Sequence, residues 1–381
     1  MKRKICVLTS SRADYNHLYI LMNKLKEAKD IDFKLIITGM HTLKKFGFTY
    51  KEIINDGFKP NFIIKTNQKD LNEKGMIETM SIQLKKAYSA IKKIDPDIFI
   101  VLGDRYDMYP FALACHIIGT PIAHFHGGEV TTGAIDDALR HSVSKLADIH
   151  FVANKEFEKR LIQMGERKKF IYNVGSLGID AIKKIKFNER DYLSKINKKL
   201  KECKYFLISL HPETIDGNNQ RLVKNVLTSL KKYKKYTQVF SYPNSDTGSN
   251  IILKEIKNYI NSNKNSVLMP SYGREEYLHL LKYSEFLIGN SSSGFVEAPY
   301  LNTPTVNVGT RQKGRPVTKS IFNASYACSS ILKSIKNSLN YKKSDNTINY
   351  KGKNTINAVL RILKTVKLDG IKNKSFIDIR W

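Results

Sequence analysis

The sequence predicts an α/β protein of two Rossmann-like domains, and three observations support this fold class. Short apolar runs alternate with longer segments in which apolar residues recur at helical spacing. Most runs end in polar or glycine-containing loops, as expected for buried parallel strands whose ligands bind beyond the carboxyl ends. The chain has 381 residues, of which 41% are hydrophobic. This length is long for a single core, so two domains are expected.

The first half begins with a strand over residues 5–8 and continues with an amphipathic helix. Leu18, Leu21, Met22 and Leu25 follow the i, i+3, i+4, i+7 spacing of one buried helix face. Further strands are predicted over residues 33–37, 97–102, 121–125 and 149–153, and a further helix over residues 156–164. This succession predicts one doubly wound sheet.

The second half repeats the alternation without an evident sequence repeat. Strands are predicted over residues 205–210, 238–241, 266–269, 286–288 and 305–308. We therefore predict an N-terminal domain over residues 1–178, a C-terminal domain over residues 179–366 and a tail over residues 367–381. The helix predicted over residues 358–366 is a candidate to pack back on the N-terminal domain.

The formal net charge of +29 raises the alternative of a nucleic-acid-binding protein. The lysines are spread over the whole chain, and no aromatic–basic recognition motif accompanies them. A lysine-rich composition explains the excess more simply, so no nucleic-acid partner is predicted. The positive field would still attract an anionic, phosphate-bearing substrate.

The sequence also predicts a cytoplasmic protein without a membrane partner. No apolar stretch approaches the roughly 18 to 20 residues of a membrane span, and the N-terminal segment lacks the features of a signal peptide. The four cysteines, Cys6, Cys115, Cys203 and Cys328, lie far apart without a CxxC motif. This spacing predicts neither a disulfide framework nor a zinc cluster.

Acids and imidazoles gather where predicted strands of the first half end. Asp104 follows one strand, His126 and Glu129 follow the next, and Asp136 stands a few residues later. Carboxylates crowded in one place raise at least one pKa, which general acid–base catalysis at neutral pH requires. A lone aspartate after a strand is more often a helix cap.

The imidazoles allow two interpretations. His124 and His126, with Glu129 and His141 nearby, could ligate a metal ion. The two glycines after His126 fit the close approach of a ligand instead, so no metal is predicted. His211 directly follows a strand of the second half, where a core histidine competes with an acid, a base or a phosphate ligand.

Phosphate recognition is suggested by residues 289–294, GNSSSG, which follow a predicted strand. Neither a GxxxxGK[ST] loop nor a GxGxxG turn is present, which disfavours P-loop and standard dinucleotide enzymes. If this segment opens a helix, its backbone N–H groups and hydroxyls would hold a diphosphate. The alternative is an ordinary serine cap. Four arginines just past strand ends could pair with phosphate or form salt bridges: Arg12, Arg105, Arg311 and Arg315.

Eight motifs in order resemble the hydrolysing UDP-N-acetylglucosamine 2-epimerases of sialic acid biosynthesis, the NeuC type. They are SRADY at 11–15, GDRYD at 103–107, HGGE at 126–129, DDALRH at 136–141, GSLG at 175–178, HPET at 211–214, GNSSSG at 289–294 and GTRQ at 309–312. The resemblance implies a GT-B-like fold with two facing Rossmann-like domains, of which the C-terminal one binds the nucleotide. It further implies a nucleotide sugar in the interdomain cleft as the active site, no cofactor, and a homodimer or homotetramer.

The resemblance also assigns roles to single residues. Asp104, Asp136 and His211 occupy catalytic positions, and His126 or Glu129 supplies a further acid–base group. Arg12, Arg105, Ser291, Ser292 and Arg311 correspond to positions that face the diphosphate, and Glu297 to a carboxylate that binds the ribose. Asp14, Arg140 and Asn244 are further positions expected to bind the substrate.

The implied reaction expels UDP from C1 as a proton leaves C2, which gives a 2-acetamidoglucal. Water then adds at C1 and C2 is reprotonated from the opposite face, so the products are N-acetylmannosamine and UDP.

The sequence departs from the family pattern at His126, because many relatives have a glutamate there, in an EGGE motif. Three alternatives remain open: the same reaction on a 2,4-diacetamido-2,4,6-trideoxy nucleotide sugar, a GT-B glycosyltransferase, and a basic binding protein.

Overall fold

The computed structural model describes residues 2–66, 68, 70, 72–132, 134–183, 185–187, 193–194, 198–200, 203–215, 217–244, 246–269, 274–342, 350, 352 and 354–378. The chain forms two compact units. Unit 1 comprises Met1–Glu129, Asp136–Ala181 and Tyr350–Trp381, and unit 2 comprises Val130–Ile135 and Ile182–Asn349. Each unit contains one parallel sheet with helices in the connections.

Unit 1 contains a seven-stranded sheet in the order β3-β2-β1-β4-β5-β6-β7. Its strands are β1 (Arg3–Thr9), β2 (Ile31–Ile37), β3 (Phe62–Ile63), β4 (Ile98–Leu102), β5 (Ile122–Phe125), β6 (Ile149–Val152) and β7 (Ile171–Asn173). Its helices are α1 (Arg12–Glu27), α2 (Tyr50–Asn55), α3 (Glu73–Ile94), α4 (Tyr109–Ile118), α5 (Asp136–Leu146), α6 (Lys155–Gln163), the start of α7 (Leu177–Lys183), and α13 (Thr355–Thr365).

Unit 2 contains a six-stranded sheet in the order β10-β9-β8-β11-β12-β13. Its strands are β8 (Tyr205–Ser209), β9 (Thr237–Ser241), β10 (Ser266–Met269), β11 (Leu287–Gly289), β12 (Thr305–Val308) and β13 (Ile321–Ala324). Its helices are α8 (Asn219–Leu230), α9 (Ser249–Ser262), α10 (Arg274–Tyr283), α11 (Glu297–Tyr300) and α12 (Cys328–Leu339).

The central strands are mostly apolar because both faces of each sheet are covered. On β1, Ile5 and Val7 pack into one buried cluster, and Cys6 and Leu8 pack into the cluster on the other face. The predicted α/β class and two parallel sheets are therefore confirmed. Every predicted strand is present, and the helix expected over 156–164 is α6.

The strand order reverses once in each sheet, between β1 and β4 in unit 1 and between β8 and β11 in unit 2. In open α/β sheets, ligands bind outside the carboxyl ends of the strands at such a switch point. The loops that follow these four strands are therefore where each unit is expected to bind its ligand.

Three short strands were not expected from the sequence: β3, β7 and β13. Each is an edge strand or an outer strand of two to four residues, too short for a clear periodic pattern. A further difference concerns residues 289–294, which were expected to open a helix. The segment instead forms a 3₁₀ turn over Ser292–Gly294, which is followed by the four-residue α11.

The C-terminal helix also corrects the domain boundaries. Residues 350–366 were assigned to the second domain, but they group with unit 1. Ile356, Val359 and Leu363 of α13 belong to the buried cluster that covers one face of the first sheet. Arg3 Nη1 donates to Leu363 O at 2.7 Å. No helix in the described part of the chain is long and apolar enough to cross a membrane.

Candidate functional site

The switch point of unit 1 is held together by contacts between three loops. Ser10 Oγ, after β1, donates to Asp107 Oδ1, after β4, at 2.9 Å. Gly39 follows β2 with a φ of +58°, and a Cβ on it would lie 2.4 Å from Asp107 Oδ2. Glycine at position 39 therefore allows a close approach that any other residue would block. Asp107 is fully buried at the centre of this arrangement.

Asp14 lies in the first turn of α1, directly after the loop that follows β1. It was expected to bind substrate, but it is buried and accepts hydrogen bonds from Ser10 N at 2.5 Å, Thr9 Oγ1 at 3.1 Å and Ser11 Oγ. Burial raises the pKa of Asp14 to about 6, and the hydrogen bonds from Ser10 and Ser11 oppose the rise. Asp14 thus fixes the start of α1, where Arg12 lies, against Thr9, Ser10 and Ser11.

Arg12 and Arg105 are each fixed by a carboxylate. Arg12 makes a two-pronged contact with Glu52, with Nε 3.0 Å from Oε2. Arg105 Nε lies 3.2 Å from Asp107 Oδ1, and Nη2 lies 3.4 Å from Oδ2. A guanidinium group that is held by a carboxylate has a fixed orientation. This orientation favours recognition of a phosphate at a defined position.

Arg140 of α5 lies between two carboxylates. Its Nη2 pairs with Asp104, and its Nη1 lies 3.8 Å from Asp137 Oδ1. Asp137 also lies 3.6 Å from His141 Nε2. The Arg140 side chain is only 2% exposed, so it is a buried counter-charge to these carboxylates. It ties the first turn of α5, where Asp136 lies, to the loop after β4.

His126 and Glu129 form a hydrogen-bonded pair directly after β5. His126 Nδ1 lies 2.6 Å from Glu129 Oε1. An ionised carboxylate only accepts, so Nδ1 carries the hydrogen and Nε2 is the atom that can take or give a proton. The His126 ring lies 5.4 Å from that of His17, a residue the sequence analysis did not single out.

The backbone of His126 is left-handed, with a φ of +65°. This conformation costs a non-glycine residue on the order of 1 to 3 kcal/mol, and such strain concentrates at functional positions. His124, two residues earlier on β5, is fully buried and contacts Gly103 O at 2.8 Å and Ser144 Oγ at 3.1 Å. Burial lowers the pKa of His124 to about 3, so it is a neutral core histidine. The described residues contain no group of three or more metal-ligating side chains.

His211 stands at the switch point of unit 2, after β8. Its backbone N donates to Asn290 Oδ1 at 2.7 Å, and Asn290 Nδ2 donates to His211 O at 2.8 Å. Nδ1 of the ring accepts from Asn244 N at 3.1 Å, and Nε2 lies 3.2 Å from Ser209 Oγ. Burial, with a smaller contribution from Arg311, lowers the pKa of His211 to about 3. The imidazole is therefore neutral near pH 7.

The loop after β12 carries Arg311 toward the same place. Arg311 Nη1 donates to Asn290 O at 3.2 Å, and Gln312 Nε2 donates to the same oxygen at 2.9 Å. Arg311 Nε is buried and has no hydrogen-bond partner among the described residues. A buried guanidinium N–H without an acceptor favours an anionic ligand at this position.

The remaining predicted residues of unit 2 flank this loop. Ser291 caps the 3₁₀ turn, with Oγ 3.3 Å from Ser293 N, so the interpretation as a serine cap holds in this structure. Ser292 begins the turn and Glu297 begins α11. Asn244 Nδ2 donates to Asp246. Tyr277 joins the cluster: burial raises its pKa, while hydrogen bonds with Ser293 and Ser291 oppose the rise.

Several residues that organise these loops escaped sequence reasoning, among them Glu52, Asp107, Asn290 and Tyr277. Asp107 and Asn290 lie inside motifs that were recognised, and their position directly past a strand was the available signal. Glu52 and Tyr277 lie on helices far from the motifs in sequence, and only the fold brings them to the loops.

Two parallel doubly wound sheets with charged and hydroxyl-bearing loops at both switch points are the architecture of many α/β proteins that bind nucleotides. The sequence profile of the UDP-N-acetylglucosamine 2-epimerase family matches residues 23–364, and the chain belongs to this family. It is 36% identical over 326 residues to the GDP/UDP-N,N'-diacetylbacillosamine 2-epimerase (hydrolyzing) of Campylobacter jejuni, covering 85% of this chain and 84% of that protein. It is 30% identical to the UDP-N-acetylglucosamine 2-epimerase of Neisseria meningitidis serogroup B over the full length of both chains.

Among solved structures, the fold resembles Methanocaldococcus jannaschii UDP-GlcNAc 2-epimerase in complex with UDP-GlcNAc and UDP. The TM-score is 0.81 with 20% sequence identity, and the match covers 94% of this chain and 99% of the other. The predicted family and GT-B-like fold are therefore confirmed.

Proposed function

We propose that this protein is a hydrolysing 2-epimerase that converts UDP-N-acetylglucosamine to N-acetylmannosamine and UDP. The observation that carries the proposal is the acid–base group of unit 1. The His126–Glu129 pair follows β5, and Asp104 follows the adjacent strand β4, where Arg140 connects it to the first turn of α5. This grouping supplies proton carriers beside a counter-charge, which elimination and rehydration of a sugar both need.

In the proposed reaction a base removes the C2 proton, the C1–oxygen bond to UDP breaks, and a 2-acetamidoglucal forms. Water then adds its oxygen to C1 while C2 receives a proton on the opposite face. Glu129 fixes His126 with Nε2 as its proton-transfer atom, and Asp104 and Asp136 are assigned to the second set of proton transfers. His211 is half-buried and neutral, so we assign it to holding the nucleotide rather than to donating a proton.

We assign UDP binding to unit 2, with Arg311, Ser291 and Ser292 at the diphosphate and Glu297 at the ribose. The support is the buried, unpartnered Nε of Arg311 among the loops at the switch point. Arg12 and Arg105 are assigned to the phosphates from the loops of unit 1. Alanine at Arg311 or Ser291 should weaken UDP binding. A charge-assisted contact contributes on the order of 1.5 to 3 kcal/mol, so the Arg311 variant should lose more.

The test is to incubate the pure protein with UDP-N-acetylglucosamine in deuterated water and to follow the products by NMR. The proposal requires release of UDP and of free N-acetylmannosamine that carries deuterium at C2. A product that keeps its original C2 hydrogen excludes elimination, and a requirement for an acceptor sugar indicates a glycosyltransferase. An inert mixture, in which UDP-N-acetylglucosamine remains intact, rejects this substrate.

A second substrate is favoured by the similarity to the Campylobacter jejuni enzyme, whose name specifies a diacetylated sugar. The same assay with UDP-N,N'-diacetylbacillosamine decides between the two. The substrate with the higher kcat/KM identifies the group that this chain accepts at C4.

Independence of metal ions, a homodimer or homotetramer, and a cytoplasmic location are further parts of the proposal. Activity that is lost in chelator and restored by zinc or magnesium would contradict the first. Sedimentation analysis of the full chain decides the second, and fractionation of producing cells decides the third.

A further inference from the structure

A buried carboxylate in unit 2 has no role in the proposed reaction, yet it contacts the loop that carries Arg311. Glu213 follows His211 after β8 and is fully buried. Its Oε1 accepts from the backbone N of Thr310 at 3.2 Å and from that of Arg311 at 3.3 Å. One carboxylate oxygen therefore satisfies two consecutive amides of the loop after β12.

The second oxygen of this carboxylate is occupied as well. Tyr326, which follows β13, donates its hydroxyl to Glu213 Oε2. Burial first, and then the hydrogen bond to Glu213, raises the pKa of Tyr326 to about 12, so the phenol stays protonated and donating. Glu213 N donates to Asn219 Oδ1 at 2.7 Å, which fixes the backbone from the other side.

The loop itself is shaped to accept the carboxylate. Gly309 has a φ of +89°, and a Cβ there would lie 2.4 Å from Glu213 Oε1 and 2.8 Å from Tyr326 Cε1. Any side chain at position 309 would displace the carboxylate from the two amides. Gly309, Glu213 and Tyr326 pack closely together. This packing fixes the direction of the backbone at Thr310, the residue before Arg311.

From these contacts we infer that Glu213 is a positioning residue for the diphosphate clamp: its carboxylate holds the backbone of residues 310–311 so that Arg311 presents its buried Nε to the anion. Arg311 Nη1 is already bound to Asn290 O, so the guanidinium is fixed at two points, its own backbone and its far end. A guanidinium fixed in this way loses little entropy when a phosphate binds. This inference rests on the proposed assignment of Arg311 to UDP.

The test measures binding of two ligands to the full chain, UDP by calorimetry and uridine by ligand-observed NMR titration. Arg311→Ala should weaken UDP binding about tenfold or more, the scale of a charge-assisted contact. Glu213→Ala should weaken UDP binding by a similar factor and leave uridine binding unchanged, because only the phosphate contact depends on Arg311. The double variant, Arg311→Ala with Glu213→Ala, should bind UDP with about the same affinity as whichever single variant binds it less tightly. Both changes remove the same contact, so their effects should not add.

Two milder variants guard against loss of the fold. Glu213→Gln keeps an oxygen that can accept from both amides, so it should retain most of the UDP affinity. Tyr326→Phe removes one of the contacts that hold the carboxylate, so it should cause a smaller loss that is again specific to UDP. Hydrogen exchange of the peptide that contains residues 309–312 should be faster in Tyr326→Phe than in the parent protein.

The outcomes separate the inference from the proposal on which it rests. If Arg311→Ala leaves UDP affinity unchanged, the clamp assignment fails and the inference fails with it. If Arg311→Ala weakens UDP binding but Glu213→Ala and Tyr326→Phe do not, the inference alone is overturned. Equal losses for UDP and uridine, or additive losses in the double variant, also overturn it.

Discussion

The HGGE motif places His126 and Glu129 in a hydrogen-bonded pair, which we propose for proton transfer. Two glycines between them let the chain turn so that Nδ1 and Oε1 approach to 2.6 Å. Gly128 has a φ of +75°, and a Cβ on it would lie 2.4 Å from Phe157 O. The turn is therefore specific to glycine. The left-handed backbone at His126 adds strain that the surrounding contacts must offset.

At the residue scale we predict that His126→Asn lowers kcat by about a hundredfold or more, the scale of losing an acid–base group. Asparagine tolerates a left-handed backbone and remains polar, so the fold should be kept while the titrating group is removed. Measurements of kcat and of the melting temperature together check this.

His126→Glu is the matched variant, because it restores the EGGE pattern of many relatives. It should keep measurable activity if position 126 needs a proton carrier. If His126→Asn is as active as the parent protein, Glu129 carries the proton and His126 is a packing residue.

The sequence could predict which residues follow the strands of each sheet but not which of them are partnered. Asp14, Arg140 and Arg311 all lie in recognised motifs. Only the structure shows that Asp14 accepts a hydrogen bond from Ser10 N and that Arg140 is buried between Asp104 and Asp137. The sequence predicted crowded carboxylates that raise a pKa, but it did not predict that the cation of Arg140 lies among them. Side-chain pairing depends on loop backbone geometry, which has no periodic signal.

At the element scale, α5 connects the acid–base residues to the C-terminal segment. Its first turn carries Asp136, and its last carbonyls are capped by a lysine from the tail. Lys374 Nζ donates to Lys145 O at 2.8 Å and to Ala147 O at 2.7 Å, and lies 2.6 Å from Glu166 Oε2. A cation at a helix C-terminus satisfies orphan carbonyls and complements the helix dipole.

We predict that Lys374→Met lowers the free energy of unfolding by about 1 to 3 kcal/mol, the range for losing hydrogen bonds to charged groups. Methionine keeps the apolar stem but removes the donor. Lys364→Met is the control, because Lys364 pairs with Asp30 at the surface and such pairs contribute only about 0 to 1 kcal/mol. Urea unfolding of both variants measures the difference, and equal small effects would show that the tail lysine does not stabilise α5.

Glu166 makes this cluster sensitive to acid. Burial raises the pKa of Glu166, but contacts with His150, Lys374 and Lys145 outweigh it and lower the pKa to about 2. A carboxyl with a depressed pKa in the folded state contributes stability above its unfolded value of 4.5, and this contribution is lost as pH falls toward 2. Glu166→Gln should therefore be less stable than the parent protein at pH 7. The difference should shrink on acidification below about pH 4.5, as urea unfolding at several pH values would measure. A difference independent of pH would contradict the assignment.

Strand and helix positions were predictable because buried parallel strands are continuous apolar runs, and helices such as α1 have one apolar face. Short edge strands such as β7 were missed because two or three residues carry no pattern. The domain boundary was placed after α13, whereas α13 packs in unit 1, the packing for which this helix was named as a candidate. The apolar face of Ile356, Val359 and Leu363 predicts that the helix is buried but does not say on which unit.

At the scale of the whole molecule, the net charge of +29 is far larger than the proposed reaction requires. The proposal needs only the few arginines assigned to the phosphates. The remaining excess is carried by lysines such as those of residues 231–235, most of which are exposed. Exposed charge of one sign contributes to the long-range field that guides an anionic substrate, and salt screens it.

We predict that kcat/KM for the nucleotide sugar falls as sodium chloride rises from about 50 to about 300 mM, over which the Debye length shortens markedly, while kcat changes little. The matched variant is Lys232→Glu with Lys234→Glu, both exposed in unit 2 and outside the residues assigned to the site. It should have a lower kcat/KM than the parent protein at low salt and the same value at high salt, because screening removes the long-range contribution that distinguishes the two proteins. A gap that persists at high salt would instead show that these lysines act locally. A kcat/KM independent of salt in the parent protein would show that the excess charge does not guide the substrate.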